Sequence, residues 1–136
     1  MAADLDAFIA ARRALPFVYF EQDCGHIAAD WVLEKTGIDP LTDLRVPADE
    51  PRSLFALMRK VRAGGGMAAI ATERLGAPIP PLMAQRGDVV LVASGRPIGR
   101  VSGFTFGICT GSNVVVPDTG GLVFWPISAG VHAWHV

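Results

Sequence analysis

The spacing of apolar residues divides the chain into a helical front and a strand-rich back. Helical spacing predicts a first helix that ends before Pro16 and a second helix from about Asp23 to Thr36. Gly37 is the expected stop of the second helix, because glycine adopts the left-handed conformation most easily. A third apolar stripe predicts a helix from about residues 49–51 to the triple glycine 64–66, and a short fourth helix follows.

After Gly87 the pattern changes to short runs of β-branched and aromatic residues, separated or flanked by glycines. The runs are VVLVA, FTFGICT, SNVVVP and GLVFWPI. Runs of this kind joined by tight turns predict a mainly antiparallel sheet. Helices followed by a block of strands predict an α+β fold, with N-terminal helices packed on a C-terminal antiparallel sheet. At 136 residues, the chain is expected to form a single domain, residues 1–136.

Composition and charge argue against several classes of partner. The chain is 51% hydrophobic and 18% charged, with a net charge of −1 and no basic run for nucleic acid. No apolar stretch approaches the ~20 residues of a membrane span. The three histidines and two cysteines are scattered, so neither a metal site nor a cofactor is predicted. We expect folding in a reducing cytoplasm, where the two cysteines pair only if the fold brings them together.

The stretch QDCGHIAADW places Cys24 at the start of the second predicted helix. There the helix dipole favours a thiolate, so Cys24 is either a nucleophile or a small buried apolar residue. Cys24 lies at the end of an apolar stripe that is predicted to face the sheet. The other stripe residues are Ile27, Ala28, Trp31 and Val32. His26 lies about 200° round the helix from Cys24, so we expect it to face solvent or a partner, with Asp30 as its neighbour.

The order of three motifs resembles that of NlpC-type cysteine peptidases, which cleave peptidoglycan stem peptides. The motifs are Asp23-Cys24, RGDVVLV at 86–92 and FGICTG at 106–111. Longer stretches, CGHIAADWVLEKTGIDP and GLVFWPISAGVHAWHV, resemble a small family of proteins that tailed phages and prophages encode. The second resemblance covers nearly the whole chain. Together they imply a single NlpC-type, papain-like peptidase domain over residues 1–136.

The chain departs from the NlpC-type pattern where that family places its catalytic base. The matching position is Thr105, and the position of the next polar residue falls in the apolar run 114–116. A threonine cannot serve as a base near neutral pH. The other two histidines, His132 and His135, lie in the C-terminal GVHAWHV, which is expected to be an exposed terminal strand. One of them could still fold back to the helix start.

Two functions follow from the resemblance. The first is a structural or assembly protein of a phage or prophage tail, in the tail-tip region, whose peptidase-like fold has lost its base. Such a protein is made in the host cytoplasm, resides in the virion and binds other tail proteins. The second is an active peptidoglycan-cleaving peptidase that uses Cys24 with a non-standard base, with peptidoglycan as its partner.

Overall fold

The computed structural model describes residues 3–47, 49–98 and 101–136, and only the backbone of 94–98, 101 and 102. The described chain contains four α-helices and one five-stranded antiparallel sheet, in the strand order β4-β3-β2-β1-β5. The helices are α1 (Leu5–Arg12), α2 (Cys24–Thr36), α3 (Leu54–Ala63) and α4 (Met67–Leu75). The strands are β1 (Val89–Ile98), β2 (Val101–Cys109), β3 (Asn113–Asp118), β4 (Gly121–Pro126) and β5 (Gly130–Trp134). The predicted α+β class is therefore confirmed.

Local capping chemistry sets the ends of the helices. Helix α2 ends at Gly37 as predicted: this residue has φ of 79° and donates its N–H to the carbonyl of Leu33. The predicted start of α3 at 49–51 is wrong, because the helix begins at Leu54. Ser53 is the N-cap, and its hydroxyl accepts the N–H of Ala56.

The sheet buries apolar side chains on both of its faces. Helices α1, α2 and α4 cover one face, where Trp31 is 2% exposed and contacts the ring of Phe8 edge-on at 5.4 Å. The indole N–H of Trp31 donates to the carbonyl of Gly87 at 2.8 Å, at the entrance to β1. Residues of the connection 79–84 and of 127–129 pack against the other face. This arrangement fixes the start of α2 against β2.

Helix α2 is buried on two sides, and the prediction anticipated only one of them. The predicted stripe of Ile27, Ala28, Trp31 and Val32 is buried as expected. The predicted exposure of His26 is wrong, because the residue is only 3% exposed. The centre of the Phe20 ring lies 5.8 Å from the centre of the His26 ring. Asp30 does not pair with His26, but forms ion pairs with Arg12 at 2.8 Å and Arg45 at 2.7 Å. The chain that precedes and follows α2 therefore covers the side that was expected to face solvent.

Candidate functional site

A cavity of about 390 Å³ lies between the start of α2, strand β2 and the apolar side of α3. No residue of α3 is fully buried, because its apolar stripe lines this cavity. The stripe consists of Leu54, Leu57, Met58 and Val61. The polar groups at the α2 end of the cavity belong to Asp23, Cys24 and His26. The site is thus an apolar chamber with a small polar end.

Cys24 is the first residue of α2 and is half-buried against β2. Burial raises the pKa of its thiol to about 11, and the negative charge of Asp23 acts in the same direction. Backbone N–H groups, chiefly that of Phe106, oppose this rise but do not cancel it. The thiol is therefore protonated at neutral pH, although its place at a helix start alone favours the thiolate. Both Cys24 and Cys109 are free cysteines.

Asp23 and His26 form a buried pair beside Cys24. One carboxylate oxygen of Asp23 caps α2 by accepting the N–H of His26 at 2.8 Å, and it also contacts Nδ1 of the imidazole at 2.7 Å. The second oxygen accepts the N–H of Phe20 at 2.8 Å. Phe20 has φ of 70°, in the left-handed region that non-glycine residues seldom adopt. The local backbone is thus strained to direct one more donor at Asp23.

The charge state of Asp23 fixes the hydrogen on the imidazole. Burial alone raises the pKa of Asp23, but the hydrogen bond and charge of His26 and the two backbone N–H groups outweigh it. The net effect lowers the pKa, so Asp23 is a carboxylate and Nδ1 of His26 carries the hydrogen. Nε2 of His26 is buried and has no hydrogen-bond partner among the residues that the structure describes. A neutral His26 therefore presents an unused acceptor at Nε2.

Thr105 lines the cavity, but a threonine cannot act as a base near neutral pH. In the β1–β2 ladder Thr105 lies opposite Val92, whereas Phe106 lies opposite Leu91. Residues directly opposite each other share a sheet face, so the side chain of Thr105 lies on the face of Val92, away from α2. The side chains of β2 that share the α2 face near Cys24 are aromatic, at Phe104 and Phe106. Among the side chains of β2 that the structure describes, those of residues 103–109, none is a base for Cys24.

The two C-terminal histidines lie elsewhere, and neither lines the cavity. His132 is exposed on β5, opposite Leu91, and β1 separates this strand from β2. His135 is also exposed and its Nδ1 contacts the Asp88 carboxylate at 2.7 Å. Asp88 also accepts the N–H of Gln85, which shapes the turn before β1. These histidines belong to the sheet edge and to the C-terminus, not to the site at Cys24.

The Asp23–His26 pair is the feature that the sequence reasoning missed. Relative to Cys24, His26 is only two positions further along α2, so the two side chains point in different directions. Counted from the N-cap Asp23, His26 is three positions on, which is the spacing of a reciprocal capping interaction. Asp-x-x-His at a helix start is the signal that could have found this pair.

The fold and the cavity define an α+β protein with a partly polar chamber between its helices and its sheet. The whole chain, residues 1–136, matches the family described as a domain of unknown function (DUF6950), and the protein belongs to that family. No curated protein matches it. Within the described ranges no helix is long and apolar enough to cross a membrane.

Proposed function

We propose that the protein is a non-catalytic structural or assembly component of a phage or prophage tail, in the tail-tip region, on an NlpC-type, papain-like fold. The state of Cys24 carries the non-catalytic part: the thiol is half-buried, its pKa is raised to about 11, and the negative charge of Asp23 acts against its ionisation. The place in the virion rests on the resemblance of CGHIAADWVLEKTGIDP and GLVFWPISAGVHAWHV to phage-encoded proteins.

The chemistry of amide hydrolysis supports a non-catalytic role. A cysteine peptidase needs a thiolate and then a proton for the leaving amine, and one positioned histidine normally serves both steps. Thr105, at the position of that histidine in NlpC-type peptidases, can do neither. Because the thiol pKa is raised to about 11, Cys24 is almost entirely protonated at pH 7.

A second candidate is a peptidoglycan hydrolase that uses Cys24 with His26 as a non-standard base. This candidate is favoured by one observation: His26 lines the same cavity as Cys24 and is oriented by Asp23, as a general base is in many cysteine enzymes. Against it, Cys24 and His26 are two positions apart on α2, so their side chains diverge by about 200°.

Muropeptide release from purified sacculi separates the two candidates. The assay compares wild type with Cys24→Ala, His26→Gln and a Cys109→Ala control, beside an active NlpC-type peptidase. We expect no release by wild type. Release that disappears in Cys24→Ala and His26→Gln, but not in the control, would establish the hydrolase instead.

The place in the tail requires a different measurement. Cryo-EM of virions induced from a lysogen that carries the gene is expected to show the chain in the tail-tip region. Virions that assemble and infect normally after deletion of the gene would refute the structural role. Cys24→Ala in the same lysogen should leave assembly largely intact, because the proposed role does not use the thiol.

A further inference from the structure

We propose that the cavity between α2, β2 and α3 binds a neutral, largely apolar small molecule that donates one hydrogen bond to Nε2 of His26. The donor is a hydroxyl or amide N–H, and the apolar body of the molecule lies against α3. This binding activity goes beyond a structural role in a tail and does not depend on it.

The size and lining of the cavity favour a small apolar ligand. Its volume of about 390 Å³ falls within the ~300–1,000 Å³ that is usual for small-molecule sites. The stripe of α3 forms one wall, while Met67 and Ile70 of α4 and Phe104 and Phe106 of β2 contribute further apolar surface. Met58 and Met67 have flexible side chains that can adapt to the shape of a ligand.

The charge of the lining selects a neutral ligand. Among the described residues that line the cavity there are two aspartates, Asp23 and Asp118, and no lysine or arginine. A carboxylate or phosphate ligand would place its charge near the Asp23 carboxylate, and no lysine or arginine among the described lining residues would offset it; burial of an unpaired charge is costly.

His26 selects the polar group of the ligand. Nδ1 is held by the Asp23 carboxylate, so in the neutral ring Nε2 is an acceptor. This nitrogen is buried, has no partner within the described parts of the chain and belongs to a residue that lines the cavity. Buried polar atoms are nearly always hydrogen-bonded, so an unpaired acceptor beside an apolar chamber indicates that a donor from a ligand belongs there.

The test compares three probes that differ only at their polar end: octanol, its methyl ether and octanoate. Calorimetric titration of the full-length chain should give octanol the highest affinity. The ether lacks a donor and should bind about twofold to tenfold more weakly, the usual net value of one hydrogen bond. Octanoate should bind more weakly than octanol at neutral pH, because it carries a charge. Equal affinities for octanol and ether, tighter binding of octanoate, or no binding of octanol would overturn the proposal.

Two further measurements locate the probe without removing His26. In long-range ¹H–¹⁵N spectra, octanol should shift the Nε2 signal of His26 but leave that of exposed His132 unchanged. Leu57→Trp should fill the chamber and abolish octanol binding, whereas the matched Phe55→Trp, on a 72% exposed side chain of α3, should bind as wild type. A shift at both histidines, or equal binding by both variants, would place the probe elsewhere and refute the site. None of these results depends on where the protein sits in a virion.

Discussion

Replacing Asp23 by alanine tests the central contact of the site. The carboxylate accepts three N–H groups: the backbone N–H of Phe20, the backbone N–H of His26 and Nδ1–H of the same imidazole. Asp23 is 7% exposed, so water cannot easily take over these donors. Asp23→Ala would therefore remove the cap of α2 and leave the buried imidazole and the part-buried N–H of Phe20 without their partner.

The expected cost exceeds that of an ordinary cap. A helix cap alone is worth about 0.5–2 kcal/mol. Each buried or part-buried donor left without its partner costs about a further 1–3 kcal/mol, and Asp23→Ala leaves two of them. We therefore expect Asp23→Ala to lower the free energy of unfolding by about 3–5 kcal/mol. The matched control is Asp4→Ala, since Asp4 is exposed, caps α1 and accepts only the N–H of Ala7, and about 1 kcal/mol is expected there.

The assay is urea denaturation of the two variants and wild type, followed by circular dichroism and tryptophan fluorescence. A cost for Asp23→Ala no larger than that for Asp4→Ala would refute the buried pair.

The pH dependence of the free energy of unfolding adds a second check. The pKa of Asp23 is lowered below its ordinary 3.8, so its contribution is present above about pH 4 and is lost as pH falls through the folded-state pKa. The difference between wild type and Asp23→Ala should accordingly shrink on acidification below pH 4.

The other predictions concern the thiol, the core and one close backbone contact. Alkylation of Cys24 in a Cys109→Ser background should follow a pKa of about 11, and rapid labelling at or below pH 7 would contradict the buried thiol. Cys24→Ala should cost about 1 kcal/mol of unfolding free energy in urea, whereas Trp31→Ala should cost about 3–5 kcal/mol or fail to fold, because Trp31 is 2% exposed. Gly121→Ala should lower the free energy of unfolding by about 1–3 kcal/mol in thermal denaturation, because Gly121 has φ of 137° and an added Cβ would meet the carbonyl of Arg13. Gly120→Ala is the control and should be nearly neutral, because open space surrounds Gly120.

The elements that local chemistry determines were predictable. Helix α2 begins after Asp23 and ends at Gly37, where a carboxylate cap and a left-handed glycine lie at the expected positions. The short apolar runs after Gly87 became β1 to β4 because β-branched residues pack well on a half-buried pleated surface. These features depend on residues a few positions apart, so a pattern along the chain is enough to find them.

The burial of His26 was not predictable from periodicity, because distant residues cause it. A single apolar stripe predicts one buried side of α2, but Arg45 and Asp39 follow the helix and fold back beside it. The ion pairs of Arg45 with Asp39 and with Asp30 hold the segment 39–45 over the second side. The position of β5 beside β1 is non-local too, since it joins the two ends of the strand block. A sequence pattern carries little information on such contacts.

Two effects act on the thiol of Cys24 in opposite directions. The start of a helix favours the thiolate, whereas burial favours the protonated thiol. A helix start stabilises a negative charge by about 0.3–1 kcal/mol at an exposed site. One pKa unit corresponds to about 1.4 kcal/mol. The thiol pKa rises from 9.0 to about 11, so the effect that opposes ionisation is larger than the stabilisation that the helix start provides. Burial against β2 and the Asp23 carboxylate supply this opposing effect, and the same carboxylate is the cap on which the helix start depends. The residue that begins α2 thereby also adds to the suppression of the thiolate, although burial is the larger cause.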